Sequence, residues 1–249
     1  MDILEQIIAT KRRELRFDKR RSLKKALASS PTGIIAEFKR KSPSKGWIRE
    51  EALPEEVVPA YAAAGAAAVS VLTDESYFGG SLAYIRRVRP LVDIPILRKD
   101  FILDPYHLYQ AAEAGADAVL LIAACLSRAD CAALTAEAHR LGLEVLLEIH
   151  GPEELDYVTP EADVVGVNNR HLGTFVTDVQ TSFDLAPLCA QALRRAETTG
   201  PVLISESGIG DPATVRALRE AGFRGFLMGE HFMKNPDPGA ALAAFIEAI

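Results

Sequence analysis

Short apolar runs recur along the chain, and each follows a helical pattern. The same order occurs in four places: a helix ends, a glycine follows, and two or three further residues lead into the apolar run. The four copies occupy residues 62–73, 112–123, 139–150 and 219–230. Their glycines, expected to end each helix in the left-handed conformation, are Gly65, Gly115, Gly142 and Gly222. The runs are apolar on both faces and rich in Val, Leu and Ile, which is typical of strands in a parallel sheet covered by helices.

The whole chain contains eight such strands, with helical patterns between them. They lie near residues 34–39, 68–72, 95–99, 117–122, 144–149, 163–168, 202–206 and 225–229. Typical N-cap residues open several of the helices, namely Asp104, Ser127, Asp211 and Asp237. Eight strands alternating with helices predict an α/β fold, a (β/α)8 TIM barrel. A doubly wound open sheet is the alternative, but it normally has a glycine-rich dinucleotide loop after its first strand, which residues 37–46 do not provide.

Two helical patterns precede the first strand. Residues 2–17 have apolar side chains at helical spacing, and residues 22–31 resemble a second, shorter helix. We therefore divide the chain into an N-terminal helical extension, residues 1–30, and a barrel catalytic domain, residues 31–249.

The net charge of −6 is unevenly distributed. Residues 1–30 contain nine of the 28 basic and four of the 34 acidic residues, a net charge of +5, so the rest carries −11. We interpret the basic segment as a solvated helix face, because the acidic body would repel the phosphates of a nucleic acid.

The most apolar run, residues 62–72, is too short to cross a bilayer. Three cysteines without metal-ligand spacing fit a reduced environment. We therefore expect a cytoplasmic protein that binds neither nucleic acid nor membrane.

Polar or charged side chains stand at the carboxyl ends of six predicted strands, where a barrel carries its active site. They include Glu37, Lys39, Lys99, Glu148, Asn168, Asn169, Arg170, Ser205, Glu206, Ser207 and Glu230. Period two puts Glu37 and Lys39 on the same face of the first strand. A single charge there is often part of a satisfied ion pair, but several lysines and glutamates at one mouth would compensate each other and shift each other's pKa values. The pattern indicates an acid–base site.

Glycine-containing turns follow the last two strands. They read SGIGDP from Ser207 and LMGEHFM from Leu227. Barrels frequently bind phosphate at these positions through backbone N–H groups and a helix N-terminus. The histidines beyond strand ends have no third ligand at metal spacing, so no metal is expected. The sequence thus favours a phosphorylated small molecule as the ligand.

With these residues in place, the sequence resembles the indole-3-glycerol phosphate synthase family. The signature is IIAEFKRKSPSKG at residues 34–46, followed in order by ILRKDFI, LLEIH, GVNNRHL, ISESGI and FLMGE. The resemblance spans nearly the whole chain, including the leading helices. It implies ring closure, decarboxylation and dehydration of 1-(2-carboxyphenylamino)-1-deoxyribulose 5-phosphate, which gives indole-3-glycerol phosphate, CO2 and water in tryptophan biosynthesis. From it we expect no cofactor, and a monomer or weak homodimer.

The resemblance also implies catalytic roles at the strand ends. Lys99 matches the general acid that protonates the ketone oxygen during ring closure, and Glu148 matches the acid–base group used in dehydration. Lys39 matches the cation that holds the substrate carboxylate, and Glu37 matches the residue that orients the lysines. Both lysines should be charged near neutral pH.

Further positions of the resemblance divide into three groups. Substrate binding is implied for Asn168, Arg170, Glu206 and Ser207. A phosphate cradle is implied for Ser42, Gly208, Gly229 and Glu230. Glu230 should contribute only its backbone N–H and turn its carboxylate away. An apolar pocket for the anthranilate ring is implied for Phe78, Phe101, Leu120 and Phe175.

Two other functions fit parts of the pattern. A non-catalytic barrel would bind a phosphorylated ligand, although binding alone does not require Lys99 and Glu148. A sister isomerase of phosphoribosyl compounds would favour a Cys/Asp acid–base pair, whereas this mouth offers lysine and glutamate.

Overall fold

Eight parallel strands form a closed barrel in a computed structural model of the chain. The structure describes residues 2–14, 20–171, 173–174, 176–194 and 200–249. The barrel strands, numbered along the chain, are β1 (Ile34–Phe38), β2 (Ala68–Leu72), β3 (Ile96–Lys99), β4 (Ala118–Ile122), β5 (Glu144–Ile149), β6 (Val164–Asn168), β7 (Val202–Glu206) and β8 (Gly225–Met228). Each strand pairs with its neighbour in sequence, and β1 closes the ring on β8. The predicted (β/α)8 barrel is confirmed.

Helices surround the barrel. They are α1 (Ile3–Glu14), α2 (Leu23–Ser29), α3 (Pro54–Ala63), α4 (Glu75–Phe78), α5 (Leu82–Val88), α6 (Pro105–Ala114), α7 (Arg128–Arg140), α8 (Gln180–Arg194), α9 (Pro212–Glu220), α10 (Glu230–Met233) and α11 (Pro238–Glu247). Short 3-10 helices occupy Arg89–Leu91, Ala123–Cys125 and Pro152–Tyr157, and the last of these connects β5 to β6. Across the described residues, no helix has the length and apolar character needed to cross a membrane.

The helix ends predicted from the sequence are confirmed. The N-cap side chains each accept a hydrogen bond from a backbone N–H two or three residues later, at Asp104, Ser127, Asp211 and Asp237. The four repeat glycines have φ between 73° and 109°, a region that a residue with a Cβ rarely adopts. Each helix therefore stops at a fixed point before its strand, which helps to align the strands.

The interior of the barrel is closed at its amino end. Inward-facing side chains such as Ile35, Leu97 and Leu146 fill the interior, and α2 adds Leu23 and Leu27 to the same cluster. Glu144, the first residue of β5, holds this helix in place by accepting hydrogen bonds from the Ser22 hydroxyl and the Lys24 N–H. The carboxyl end is left as the accessible mouth.

A short hairpin lies over that mouth. Residues Lys41–Ser42 and Gly46–Trp47 pair antiparallel directly after β1. We call residues 41–47 the β1 hairpin. The Lys41 ammonium donates to the Ser76 carbonyl oxygen at 3.0 Å, and the same ammonium lies 5.6 Å from the centre of the Trp47 ring. The bond to Ser76 ties the hairpin to α4, which follows β2, and the Lys41–Trp47 contact joins its two strands.

Candidate active site

A cavity of about 1020 Å³ opens at the carboxyl ends of the strands. It brings together most of the residues singled out in the sequence. Those that line it are Glu37, Lys39, Phe78, Lys99, Phe101, Leu120, Glu148, Asn168, Arg170, Glu206, Ser207, Gly208, Gly229 and Glu230. Ser42 is buried in the β1 hairpin and is not part of the lining. Phe175 lies outside the described residues.

Lys99 lies between two buried carboxylates. Its Nζ is 2.8 Å from Oε2 of Glu148 and 3.3 Å from Oε2 of Glu206. The two carboxylates come from β5 and β7, and only 2% and 1% of their side chains are exposed. A buried carboxylate without a partner would cost several kcal/mol. The three groups therefore form one compensated cluster whose members face the cavity.

The two carboxylates of the cluster differ in their protonation state. Burial lowers the pKa of Lys99, but Glu148, Glu206 and Glu37 together raise it well above its usual range. Burial raises the pKa of Glu148, yet Lys99 and His150 lower it well below its usual range. Burial raises the pKa of Glu206 to about 8 against the pull of Lys99. Glu148 is thus the ionised carboxylate, whereas Glu206 can hold a proton near neutral pH. Two such groups with opposite shifts provide both a base and an acid.

Glu37 and Lys39 form a second ion pair at the end of β1. Glu37 Oε1 lies 2.7 Å from Lys39 Nζ, and their side chains are 5% and 13% exposed. Gly229, at the end of β8, makes room for this pair, because a Cβ there would lie 2.6 Å from Glu37 Oε1. Similarly, a Cβ on Gly166 of β6 would collide with Glu206. Packing of the two glutamates at the mouth therefore requires glycine at both positions.

Adjacent residues at the carboxyl end of β6 serve different purposes. Asn168 and Arg170 line the cavity. Asn169 is buried behind them, and its amide nitrogen donates to the Ser205 hydroxyl and to the Ser207 carbonyl oxygen, both at 3.0 Å. Ser207 has φ of 68°, the one positive φ of a non-glycine residue in the described ranges. Such a backbone persists only where neighbouring bonds impose it, and Asn169 supplies one of them.

Glu230 turns its carboxylate toward the β1 hairpin. Glu230 Oε1 lies 2.5 Å from the Nζ of Lys45. Burial raises the pKa of this carboxyl, but the hydrogen bond and charge of Lys45, together with the charges of Lys39 and Arg170, outweigh it, so the net shift is downward. Its backbone N–H remains in the turn after β8, beside Gly229 in the cavity lining. The contact also connects the hairpin to the glycine turn.

Two groups at the mouth were not assigned a role from the sequence. Arg98 is buried beside Lys99, and its guanidinium binds Asp100 at 2.9 Å and the His107 carbonyl oxygen at 2.6 Å. His150 lies behind Glu148. Both could have been noticed as charged residues beside a strand end.

In the part of the chain that the structure describes, no three His, Cys, Asp or Glu side chains are arranged to hold a metal ion.

Comparisons with known proteins agree on one family. A family model described as indole-3-glycerol phosphate synthase matches residues 4–245. A relative of that name from Bacteroides thetaiotaomicron is 58% identical, with coverage of 100% of this chain and 99% of that protein. Another, from Carboxydothermus hydrogenoformans, is 46% identical over 91% of this chain and 84% of that protein.

Solved structures with lower identity share the fold. The chain is similar to tryptophan synthase subunit alpha from Legionella pneumophila, with a TM-score of 0.64, 16% identity, and coverage of 91% of this chain and 97% of that one. A mutant alpha-subunit of tryptophan synthase from Pyrococcus furiosus gives a TM-score of 0.63 at 14% identity, over 87% and 96% of the two chains. At this low identity the similarity shows only that the chains share the barrel fold.

Proposed function

This chain belongs to the indole-3-glycerol phosphate synthase family, and from that premise we propose how its mouth cavity closes an indole ring. The family makes the chain a carboxy-lyase of tryptophan biosynthesis with a phosphorylated small molecule as substrate. We take the substrate to be 1-(2-carboxyphenylamino)-1-deoxyribulose 5-phosphate. The products are indole-3-glycerol phosphate, CO2 and water, and no cofactor takes part. A cytoplasmic location and a monomeric or weakly dimeric state remain predictions from the sequence.

The position of Lys99 between Glu148 and Glu206 carries the proposal. The carboxylates keep its ammonium charged, so a proton donor is always present in the cavity. When the aryl carbon attacks the ketone carbon, Lys99 gives its proton to the ketone oxygen, which becomes a hydroxyl group. A positioned acid of this kind contributes about 10²–10⁴-fold to a rate.

The remaining steps use the other charges of the cluster. The iminium formed on cyclisation accepts the electron pair released when the carbon–carboxylate bond breaks and CO2 leaves. Glu148 then takes part in the proton transfers of dehydration, in which the new hydroxyl leaves as water. Lys39, paired with Glu37, provides the cation for the substrate carboxylate before it is lost.

The two ends of the substrate match two regions of the cavity. Apolar side chains of Phe78, Phe101 and Leu120 line one region and suit the anthranilate ring. The glycine turns around Gly208 and Gly229 also line the cavity and follow β7 and β8, whereas the apolar side chains come from β4 and the segments after β2 and β3. The N–H groups of these turns suit a phosphate. The phosphate role of Ser42 and the ring contact of Phe175 stay predictions.

Other barrel functions have less support. A phosphoribosyl isomerase with a Cys/Asp pair is disfavoured, because Cys125, Cys131 and Cys189 do not line the cavity. A barrel that only binds its ligand has no use for the buried Lys99–Glu148 pair.

Replacement of Lys99 tests the proposal. We expect Lys99→Ala to lower kcat by at least about 10²-fold with little change in KM, because the lost interaction acts in the transition state. Lys25→Ala, an exposed lysine of α2 at the closed end, is the matched control and should keep wild-type rates. Circular dichroism checks that both variants fold. Wild-type turnover in a folded Lys99→Ala protein would rule out Lys99 as the acid.

A further inference from the structure

A histidine stands directly behind the catalytic cluster. His150 comes two residues after Glu148, so the strand period directs both side chains to the same side. Nε2 of His150 lies 3.2 Å from Oε1 of Glu148, the oxygen opposite the one that meets Lys99. The His150 side chain is 10% exposed and is not part of the cavity lining. It therefore contacts the Glu148 carboxylate from the side away from the substrate.

A second carboxylate fixes the imidazole from its other edge. The 3-10 helix Pro152–Tyr157 folds back over the end of β5 and carries Glu154, which is itself buried. Oε2 of Glu154 accepts a 2.6 Å hydrogen bond from the backbone N–H of His150 and lies 3.4 Å from Nδ1 of the ring. Each ring nitrogen thus lies within ion-pair distance of one carboxylate, although neither contact has hydrogen-bond geometry. A doubly protonated imidazolium carries an N–H for each of the two carboxylates.

We propose that His150, clamped by Glu154, is a positioning residue that holds Oε1 of Glu148 so that Oε2 stays directed at Lys99 and the cavity. The inference rests on the proposed function, in which Glu148 exchanges protons with the substrate. A glutamate side chain has three rotatable bonds, and an error of about 1 Å in a catalytic group can cost ~100-fold in rate. His150 removes that freedom without touching the substrate.

The charge of the imidazole supports the same role. Burial lowers the pKa of His150, but Glu148 and Glu154 raise it to about 9. The other titratable groups nearby are Lys99, on the far oxygen of Glu148, and Cys125 after β4. Burial and the same two carboxylates raise the pKa of the Cys125 thiol, so this neighbour is neutral near physiological pH. Each oxygen of Glu148 consequently faces a cation, which keeps it a carboxylate despite burial.

Two amide variants distinguish an orienting role of His150 from a role in packing alone. Gln places an amide N–H near the position of Nε2 and can still reach Glu148, whereas Asn places one near Nδ1 and reaches only Glu154. We expect His150→Asn to lower kcat at least about tenfold with KM within about twofold, and His150→Gln to retain most of the wild-type kcat. Neither amide titrates, so an alkaline limb of kcat that arises from deprotonation of His150, whose pKa is raised to about 9, should be absent in both variants.

A second histidine provides the matched control. His139 Nε2 lies 2.9 Å from Asp163 Oδ2, and Asp163 binds the backbone N–H of Val145 at the amino end of β5. His139→Asn therefore removes a similar pair beside the same strand but far from the mouth. It should keep the wild-type kcat and pH profile. Equal kcat losses in His139→Asn and His150→Asn would assign both effects to stability and overturn the inference.

A titration of the ring tests the inference without relying on turnover. We expect NMR of the folded wild-type protein to show His150 protonated well above the ordinary histidine range, and Glu154→Gln to lower its titration point. A His150→Asn protein with wild-type kcat and an unchanged alkaline limb would overturn the inference, as would a wild-type ring that titrates at its ordinary value. If the wild-type chain fails to turn over its substrate, the proposed function fails, and the titration still decides whether His150 is clamped.

Discussion

At the scale of single residues, buried charge distinguishes the carboxyl mouth from the rest of the barrel. Glu37, Glu148 and Glu206 are between 1% and 4% exposed. Each of them lies within ion-pair distance of a lysine, either Lys39 or Lys99. Such burial is unfavourable for folding unless the charges compensate each other, and the compensation holds the groups ready for proton transfer.

The different protonation states of Glu148 and Glu206 predict different effects of the same substitution. Burial raises the pKa of Glu206 to about 8, so Gln imitates its protonated form at neutral pH. We expect Glu206→Gln to keep kcat within about tenfold of wild type, whereas Glu148→Gln loses at least about 10²-fold. Steady-state kinetics at neutral pH compare the two variants. Equal losses would contradict the assignment of the proton to Glu206.

The protonation of His150 predicts a pH dependence of stability. Its folded-state pKa of about 9 lies above the ordinary value of 6.5, so its contribution is complete below 6.5 and disappears as the pH rises through about 9. The free energy of unfolding of the wild type should therefore decrease over this pH range. We expect the part of the decrease that His150 causes to be absent in His150→Gln, and urea unfolding at several pH values in the range measures it. A variant with the same slope as wild type would show that His150 does not hold an extra proton in the folded state.

The sequence predicts these residues to different degrees. Strand ends and the period of two were enough to place Glu37, Lys99 and Glu148 at one mouth. The same period places His150 beside Glu148. Its second partner, Glu154, is only four residues further along the chain. The contact depends on the fold-back into a 3-10 helix, which has no repeating pattern in the sequence.

At the scale of elements, the β1 hairpin connects two parts of the mouth. Lys41 joins it to α4 and Lys45 joins it to Glu230 after β8. A Cβ on Gly79 after α4 would lie 2.7 Å from the Trp47 ring, so that glycine allows the hairpin to approach closely. The sequence indicated a loop here, but cross-strand contacts of this kind depend on tertiary structure.

Loss of the Lys45–Glu230 pair should affect binding more than stability. Exposed ion pairs contribute about 0–1 kcal/mol, and the two side chains are 59% and 30% exposed, so Lys45→Ala should change the free energy of unfolding by less than ~1 kcal/mol. An unpaired Glu230 would repel the phosphate, and we expect KM to rise severalfold. The double variant Lys45→Ala/Glu230→Gln should recover part of that loss. An unchanged KM in Lys45→Ala would contradict the electrostatic role of the pair.

At the scale of the whole molecule, stability and chemistry occupy opposite ends of the barrel. Leu23 and Leu27 of α2 close the amino end, and the charged cluster occupies the carboxyl end. Regular repeats made the barrel predictable, because each strand and helix shows its own periodicity. The packing of α2 into the barrel end was not predictable, since a short amphipathic helix fits many surfaces.

This separation predicts a variant that is unstable but active. Leu27 is 1% exposed and packs inside the amino end, so Leu27→Ala should lower the free energy of unfolding by about 2–5 kcal/mol. The kcat of the folded fraction should remain that of wild type. Leu4→Ala, at a side chain 60% exposed on α1, is the control and should change stability by less than ~0.5 kcal/mol. Urea unfolding measures both. A fall in kcat for Leu27→Ala under folded conditions would contradict the separation.

The central claim is that the charged mouth closes the indole ring with its own side chains. The direct measurement is to incubate the wild-type chain with 1-(2-carboxyphenylamino)-1-deoxyribulose 5-phosphate in buffer with EDTA and no added cofactor, and to follow indole fluorescence together with CO2 release. The account predicts that both appear in equal amounts, and that Lys99→Ala is slower by at least about 10²-fold. No fluorescence from the wild type, or fluorescence only after a cofactor is added, would contradict it.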